Sequence, residues 1–143
     1  MNNLLISVVI PLYNKEKTIE QSLHSVLRQK DCEFEIVVVD DGSTDNSVEQ
    51  VKKINDTRVR LVSQKNGGPG AARNTGAKAA KGDWIVFLDA DDELLPNALK
   101  SFAKAILAHP NIDIFDANKY ILTVDNKILA YQPLKWYIKN PLK

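Results

Sequence analysis

The chain has 143 residues, enough for one domain with a sizeable core. Its 44% hydrophobic and 26% charged content is ordinary for a soluble globular protein, and a formal net charge of +1 argues against a nucleic-acid partner. A single cysteine, Cys32, excludes an internal disulfide; it has no nearby His and reads as inert, which fits a reducing compartment.

Leu4–Pro11 is a near-continuous apolar run and predicts a central strand. It is too short and lacks the basic start of a secretory leader, and no stretch is long enough to span a bilayer. Thr18 with Gln21 resembles a capping box. Ile19, Leu23, Val26 and Leu27 then recur at helical spacing, giving a helix to about Gln29. Phe34–Asp40 predicts a second strand. Ser43 or Thr44 is expected to start a helix whose inner face carries Val48, Val51 and Ile54. Val59–Val62 predicts a short strand, Asn66–Gly70 a loop, and the alanine-rich 71–80 segment a helix. Trp84–Asp89 opens with five apolar residues and predicts a strand buried on both faces. Pro96 suits the first turn of a helix that runs to about His109, with Leu99, Phe102, Ala103 and Ile106 facing inward.

Strand and helix alternate throughout this region, which argues for a doubly wound, mostly parallel α/β sheet. Beyond Ile112 the pattern changes. Ile112–Phe115, Tyr120–Val124 and Ile128–Tyr131 read as strands, the last two forming a small hairpin around Asp125-Asn126. The expected division is therefore 1–117 and 118–143. From Lys119 onward five lysines face one acid, Asp125. Such a basic tail suits a solvated surface or a contact with anionic lipid or another part of a larger protein.

Three groups of residues fall at the C-terminal ends of predicted strands, where open α/β sheets bind ligands. Pro11 ends the first strand and puts Tyr13 at the sheet edge, able to stack on a base or simply to pack. Asp40 and Asp41 are paired at the end of the second strand. Gly42, Ser43 and Asp45 after them are explained by a turn and a helix cap. Gly67, Gly68 and Gly70 give a loop whose N–H groups, with the following helix N-terminus, suit an anion. Arg73, one turn into that helix, is within reach of a phosphate or of Asp91. Finally, Asp89, Asp91 and Asp92 crowd negative charge at the end of the fourth strand. That charge calls for a cation, and oxygen-only ligands suit Mn²⁺ or Mg²⁺.

In this order the motifs are specific. Ser7–Asn14, Val38–Asp45, Asn66–Gly76 and Phe87–Asp92 together resemble the family 2 glycosyltransferases, over about residues 4–109. The resemblance implies a GT-A fold and a metal-dependent, inverting transfer from a UDP-sugar to an acceptor hydroxyl of a glycan or a lipid-linked glycan. It places Pro11 and Tyr13 at the uracil, Asp40 on the uracil N–H, and Asp41 beside it. It sets Gly68 and Arg73 over the diphosphate. Asp89-Ala90-Asp91 matches the family's D-x-D motif, with Asp89 on the ribose, or on the metal through water, and Asp91 on the metal. Asp92 is expected to orient its neighbours.

The resemblance further implies a cytoplasmic protein, at or near the inner face of the membrane, with self-association where an apolar face is left uncovered. The family's general base normally lies well after the D-x-D motif. Past Pro96 the only acids are Asp113, Asp116 and Asp125, and none reads as that base. The chain is thus expected to be the nucleotide-sugar-binding part of a larger enzyme. The alternative is a non-catalytic nucleotide-sugar-binding module. A sugar-nucleotidyl transferase is disfavoured, because no glycine- and lysine-rich loop follows the first strand.

Overall fold

The computed structural model describes residues 4–115, 117, 119–122 and 128–132. Chain order is β1 (Leu5–Leu12), α1 (Ile19–Leu27), β2 (Glu33–Asp40), α2 (Ser47–Lys52), β3 (Val59–Ser63), α3 (Pro69–Ala79), β4 (Trp84–Phe87), α4 (Ala98–Ala108), β5 (Lys119–Leu122) and β6 (Ile128–Gln132). The chain divides into two compact units, Met1–Ser101 and Phe102–Lys143. This division falls inside α4, ahead of the boundary expected between 117 and 118.

In the first unit four parallel strands lie in the order β3-β2-β1-β4. The order runs outward from β1 to β3, then returns to β4 on the other side of β1. The switch point of the sheet is therefore between β1 and β4, where open α/β sheets form their ligand crevice. Strand alternation divides the core. Val9, Val37 and Val39 pack with Ala72 of α3 on one face. Alternation puts the fully buried Val8, Ile10, Leu12, Ile36 and Val38 on the other face. The right-handed crossover rule assigns α1 and α2 to that face, and Ile19, Leu23 and Val26 of α1 are fully buried.

Helix α3 approaches the sheet closely because residue 76 is glycine. A Cβ at that position would lie 2.2 Å from Val9 Cγ1. The far end of α3 is fastened by a polar knot. Glu35 Oε1 accepts from Ser7 Oγ at 2.7 Å and from Lys81 N–H at 2.6 Å. Its Oε2 accepts from Arg60, whose guanidinium also donates to the Ala79 carbonyl at 2.6 Å.

Several local expectations need correction. Strand β4 is not buried on both faces: among the described residues it is an edge strand, and Phe87 is half exposed. An apolar run reports hydrophobicity, not the number of neighbouring strands. Thr18 does not form the capping box; its hydroxyl donates instead to the Ala90 carbonyl at 2.9 Å. Helix α2 starts at Ser47 rather than at Ser43 or Thr44, because residues 43–45 are engaged by Asn14 and Asp40. Ile112–Phe115 is not a strand.

In the second unit β5 and β6 form an antiparallel pair, with Lys119 opposite Gln132 and an irregularity between Ile121 and Leu122. The hairpin is therefore as expected, while its turn at Asp125-Asn126, like Asp116, lies outside the described residues. Among the described residues no helix is long and apolar enough to cross a membrane.

Candidate functional site: the edge between β1 and β4

The parallel sheet brings the ends of β1, β2, β3 and β4 to one edge. Tyr13 follows β1 and is half exposed there. The next residue, Asn14, adopts a positive φ of 51°. Its Oδ1 accepts from Thr44 N–H at 2.8 Å, and its own N–H donates to Ser43 Oγ. Lys15 N–H donates to Ser47 Oγ at 2.7 Å, and Glu16 N–H donates to Asp45 Oδ2 at 3.1 Å. These bonds lace the loop after β1 to the loop after β2. Burial pushes Asp45 up, but hydrogen bonds from the Ser47 hydroxyl and N–H and from Glu16 N–H outweigh it, leaving Asp45 below the usual carboxylate range.

Asp40 and Asp41 are both buried but have different surroundings. Asp40 Oδ1 accepts from Ser43 N–H at 2.9 Å and closes the turn at Gly42. Asp41 points into the glycine loop. Its Oδ1 accepts from Gln64 Nε2 at 2.7 Å and Gly67 N–H at 2.8 Å, and its Oδ2 from Gly68 N–H at 2.8 Å. Burial raises the Asp41 pKa, yet these three donors outweigh it and hold the group below its ordinary value. The expectation that these glycine N–H groups receive a ligand anion is thereby corrected. The anion at Gly67 and Gly68 is the chain's own Asp41. Gly68 is the α3 N-cap with φ +85°, a conformation that favours glycine.

The D-x-D segment is a turn, closed by a hydrogen bond from Asp92 N–H to the Asp89 carbonyl at 3.0 Å. The Thr18 bond to Ala90 pins that turn to the start of α1. Each D-x-D carboxylate already meets a cation. Arg73 reaches Asp89, not Asp91, with its guanidinium 2.6 Å from Oδ1. Asp91 Oδ2 is 2.6 Å from Lys15 Nζ, so this pair spans the switch point from the end of β1 to the end of β4. The Asp91 hydrogen bond and charge, helped by Asp89 and Asp92, raise the Lys15 pKa above its ordinary value. The sequence carried no sign of Lys15, because its partner is 76 positions away.

The donor set fits a hard divalent cation. Asp89 and Asp91 offer oxygen ligands, and Asp91 already draws a positive group. Among the described residues no cluster of three or more His, Cys, Asp or Glu could hold a metal alone. A divalent cation at Asp89 and Asp91 would therefore have to draw the rest of its shell from phosphate and water.

The family model for glycosyl transferase family 2 matches residues 7–142. The chain belongs to glycosyltransferase family 2. It is 35% identical over 140 residues to the UDP-Glc:alpha-D-GlcNAc-diphosphoundecaprenol beta-1,3-glucosyltransferase WfgD of Escherichia coli, covering 95% of this chain and 55% of that one. The chain thus spans about half the length of this curated relative. The crystal structure of Staphylococcus aureus TarS 1-349 in complex with UDP-GlcNAc superposes with a TM-score of 0.70 and 39% identity, over 75% of this chain and 32% of that one. The mannosyltransferase PcManGT of Pyrobaculum calidifontis, in complex with GDP-Man and Mn²⁺, gives 0.68 and 30%, over 75% and 33% of the two chains. The family 2 chain therefore has the expected GT-A architecture.

Proposed function

We propose that this family 2 chain is the donor-binding part of an inverting, metal-dependent glycosyltransferase that uses a UDP-sugar. The observation carrying the reading is that Tyr13, Asp40, Asp89 and Asp91 lie at or just past the C-terminal ends of parallel strands in one sheet, with Arg73 bonded to Asp89 and Lys15 to Asp91. The UDP-GlcNAc bound to the TarS structure, at 39% identity, supports a uridine donor.

Tyr13 presents an exposed ring on which uracil stacks. Pro11, next to last in β1, lines the same base pocket, and Asp40 accepts from the uracil N–H. Asp41 and Gly68 act on the nucleotide indirectly, by fixing the loop that leads into α3. Arg73 leaves Asp89 for the diphosphate, and Asp89 turns to the ribose. Asp91 holds Mn²⁺ or Mg²⁺, which supplies neutralisation of the charge that builds on the leaving diphosphate. The acceptor is a hydroxyl of a glycan or lipid-linked glycan, as the name of WfgD suggests. A cytoplasmic location beside the membrane follows from such an acceptor. The half-exposed Phe87 on β4, an edge strand among the described residues, is one apolar surface available for self-association.

Titrating UDP into the protein by calorimetry, with and without Mn²⁺, tests the reading. Binding is expected to strengthen with Mn²⁺, and Asp91→Ala is expected to remove that strengthening while the fold persists. A folded protein that binds UDP in neither condition overturns it.

A further inference from the structure

We propose that Lys15 is the resident counter-ion of Asp91 and makes entry of a divalent cation there conditional on the diphosphate arriving with it. The inference rests on the donor-site reading above. Its starting point is the 2.6 Å contact between Lys15 Nζ and Asp91 Oδ2, across the crevice between β1 and β4.

Charge balance is the first support. Lys15 and Arg73 are paired one to one with Asp91 and Asp89, and the four groups cancel. A bare divalent cation would add two positive charges to these balanced pairs. It would also have to push an ammonium off the carboxylate it needs, and that ammonium would then stay nearby as a like charge. A nucleoside diphosphate brings the missing negative charge and offers the displaced ammonium a new partner.

Backbone anchoring is the second support. The N–H groups of Asn14, Lys15 and Glu16 are bonded to Ser43, Ser47 and Asp45, respectively. The Lys15 ammonium can therefore change partner only by rotating its own side chain, with the loop held still. Exposure is the third support. The side chains of Lys15 and Asp91 are 42% and 47% exposed, so the pair is solvated enough to exchange.

The test measures Mn²⁺ alone, by the electron paramagnetic resonance signal of the free ion, and then Mn²⁺ with UDP. The parent chain is compared with Lys15→Met, Lys15→Arg and Asp91→Asn. Lys15→Met is expected to tighten binding of Mn²⁺ alone by roughly two- to fivefold, the range set by an exposed ion pair. The enhancement of Mn²⁺ binding by UDP should shrink by a similar factor. Lys15→Arg keeps the charge and should follow the parent. Equal affinity of parent and Lys15→Met for Mn²⁺ alone, or an undiminished enhancement by UDP, overturns the role of Lys15. If Asp91→Asn still loses UDP-dependent Mn²⁺ binding in that case, the donor-site reading stands and only Lys15 is misassigned. If Asp91→Asn binds like the parent, the metal assignment fails, and the Lys15 proposal with it.

Discussion

Gly68 N–H donates to Asp41 Oδ2 at 2.8 Å, and this bond joins the end of β2 to the first turn of α3. A helix N-terminus attracts an anion, and here the anion comes from the chain itself. Asp41 thus shapes the glycine loop. Asp41→Ala leaves two loop N–H groups and Gln64 without their acceptor. It should cost about 2 kcal/mol in urea unfolding, a value typical of losing charge-assisted hydrogen bonds whose donors can partly rehydrate. UDP affinity should fall with it, because the loop that carries Arg73 into place loses its tether. A stable variant with parental UDP affinity would show that the loop is held by something else.

Helix α3 can sit close to the sheet only while position 76 has no side chain. Gly76→Ala places a methyl 2.2 Å from Val9 Cγ1, and Val9 is fully buried. The expected loss is about 1–3 kcal/mol, the usual cost of overpacking. A double-mutant cycle checks the cause. Val9→Ala alone should also destabilise, by leaving a cavity. The double variant should be more stable than the sum of the single changes implies, since each relieves the other's defect. Simple additivity would place the damage elsewhere in the helix.

These two contacts also show what the sequence could and could not reveal. The alternation of strands and helices was legible because each buried element has its own period. The site edge was legible because parallel strands end together, so residues after each strand must meet. Partner choice was not legible. Arg73 could equally have been paired with Asp91, and only the fold puts it on Asp89. Asn14, Lys15 and Gln29 gave no periodic signal, yet each bonds a segment far away in sequence. Gln29 accepts from Leu99 N–H and donates to the Leu95 carbonyl, setting the start of α4. The run Trp84–Leu88 misled for a different reason. Hydrophobicity alone does not distinguish a central strand from an edge strand awaiting a neighbour.

Acid should erode the stability of the fold progressively. Asp41, Asp45 and Glu35 each have a folded pKa below the ordinary value, because their hydrogen bonds outweigh burial. The Arg58 hydrogen bonds lower Asp56 further, to about 2. A depressed carboxylate contributes stability that is complete above its unfolded value, about 4, and is lost as pH falls through the folded value. Urea midpoints should therefore be insensitive to these groups above about pH 5, decline below about pH 4, and keep declining toward about pH 2. Asp56→Asn should flatten the curve between about pH 4 and about pH 2. A stability that rises on acidification would contradict all four assignments.

The Glu35 knot separates stability from binding, because it lies at the opposite end of the strands from the donor edge. Glu35 receives the Ser7 hydroxyl, the Lys81 N–H and the Arg60 guanidinium, and Arg60 carries the contact on to the last turn of α3. Glu35→Ala would strand a part-buried guanidinium and the fully buried Ser7 hydroxyl. The expected cost is about 2–4 kcal/mol, since truncating one member of a desolvated pair leaves the others unpaired. Arg60→Met, which keeps the apolar stem but removes the charge, should cost less than Glu35→Ala, because Ser7 and Lys81 still hold the carboxylate. Both variants should bind UDP with near-parental affinity at temperatures where they are folded, because the first turn of α3 is set separately by Asp41. A loss of UDP affinity in folded Arg60→Met would mean that α3 moves as one rigid piece, so that releasing its far end also shifts the glycine loop.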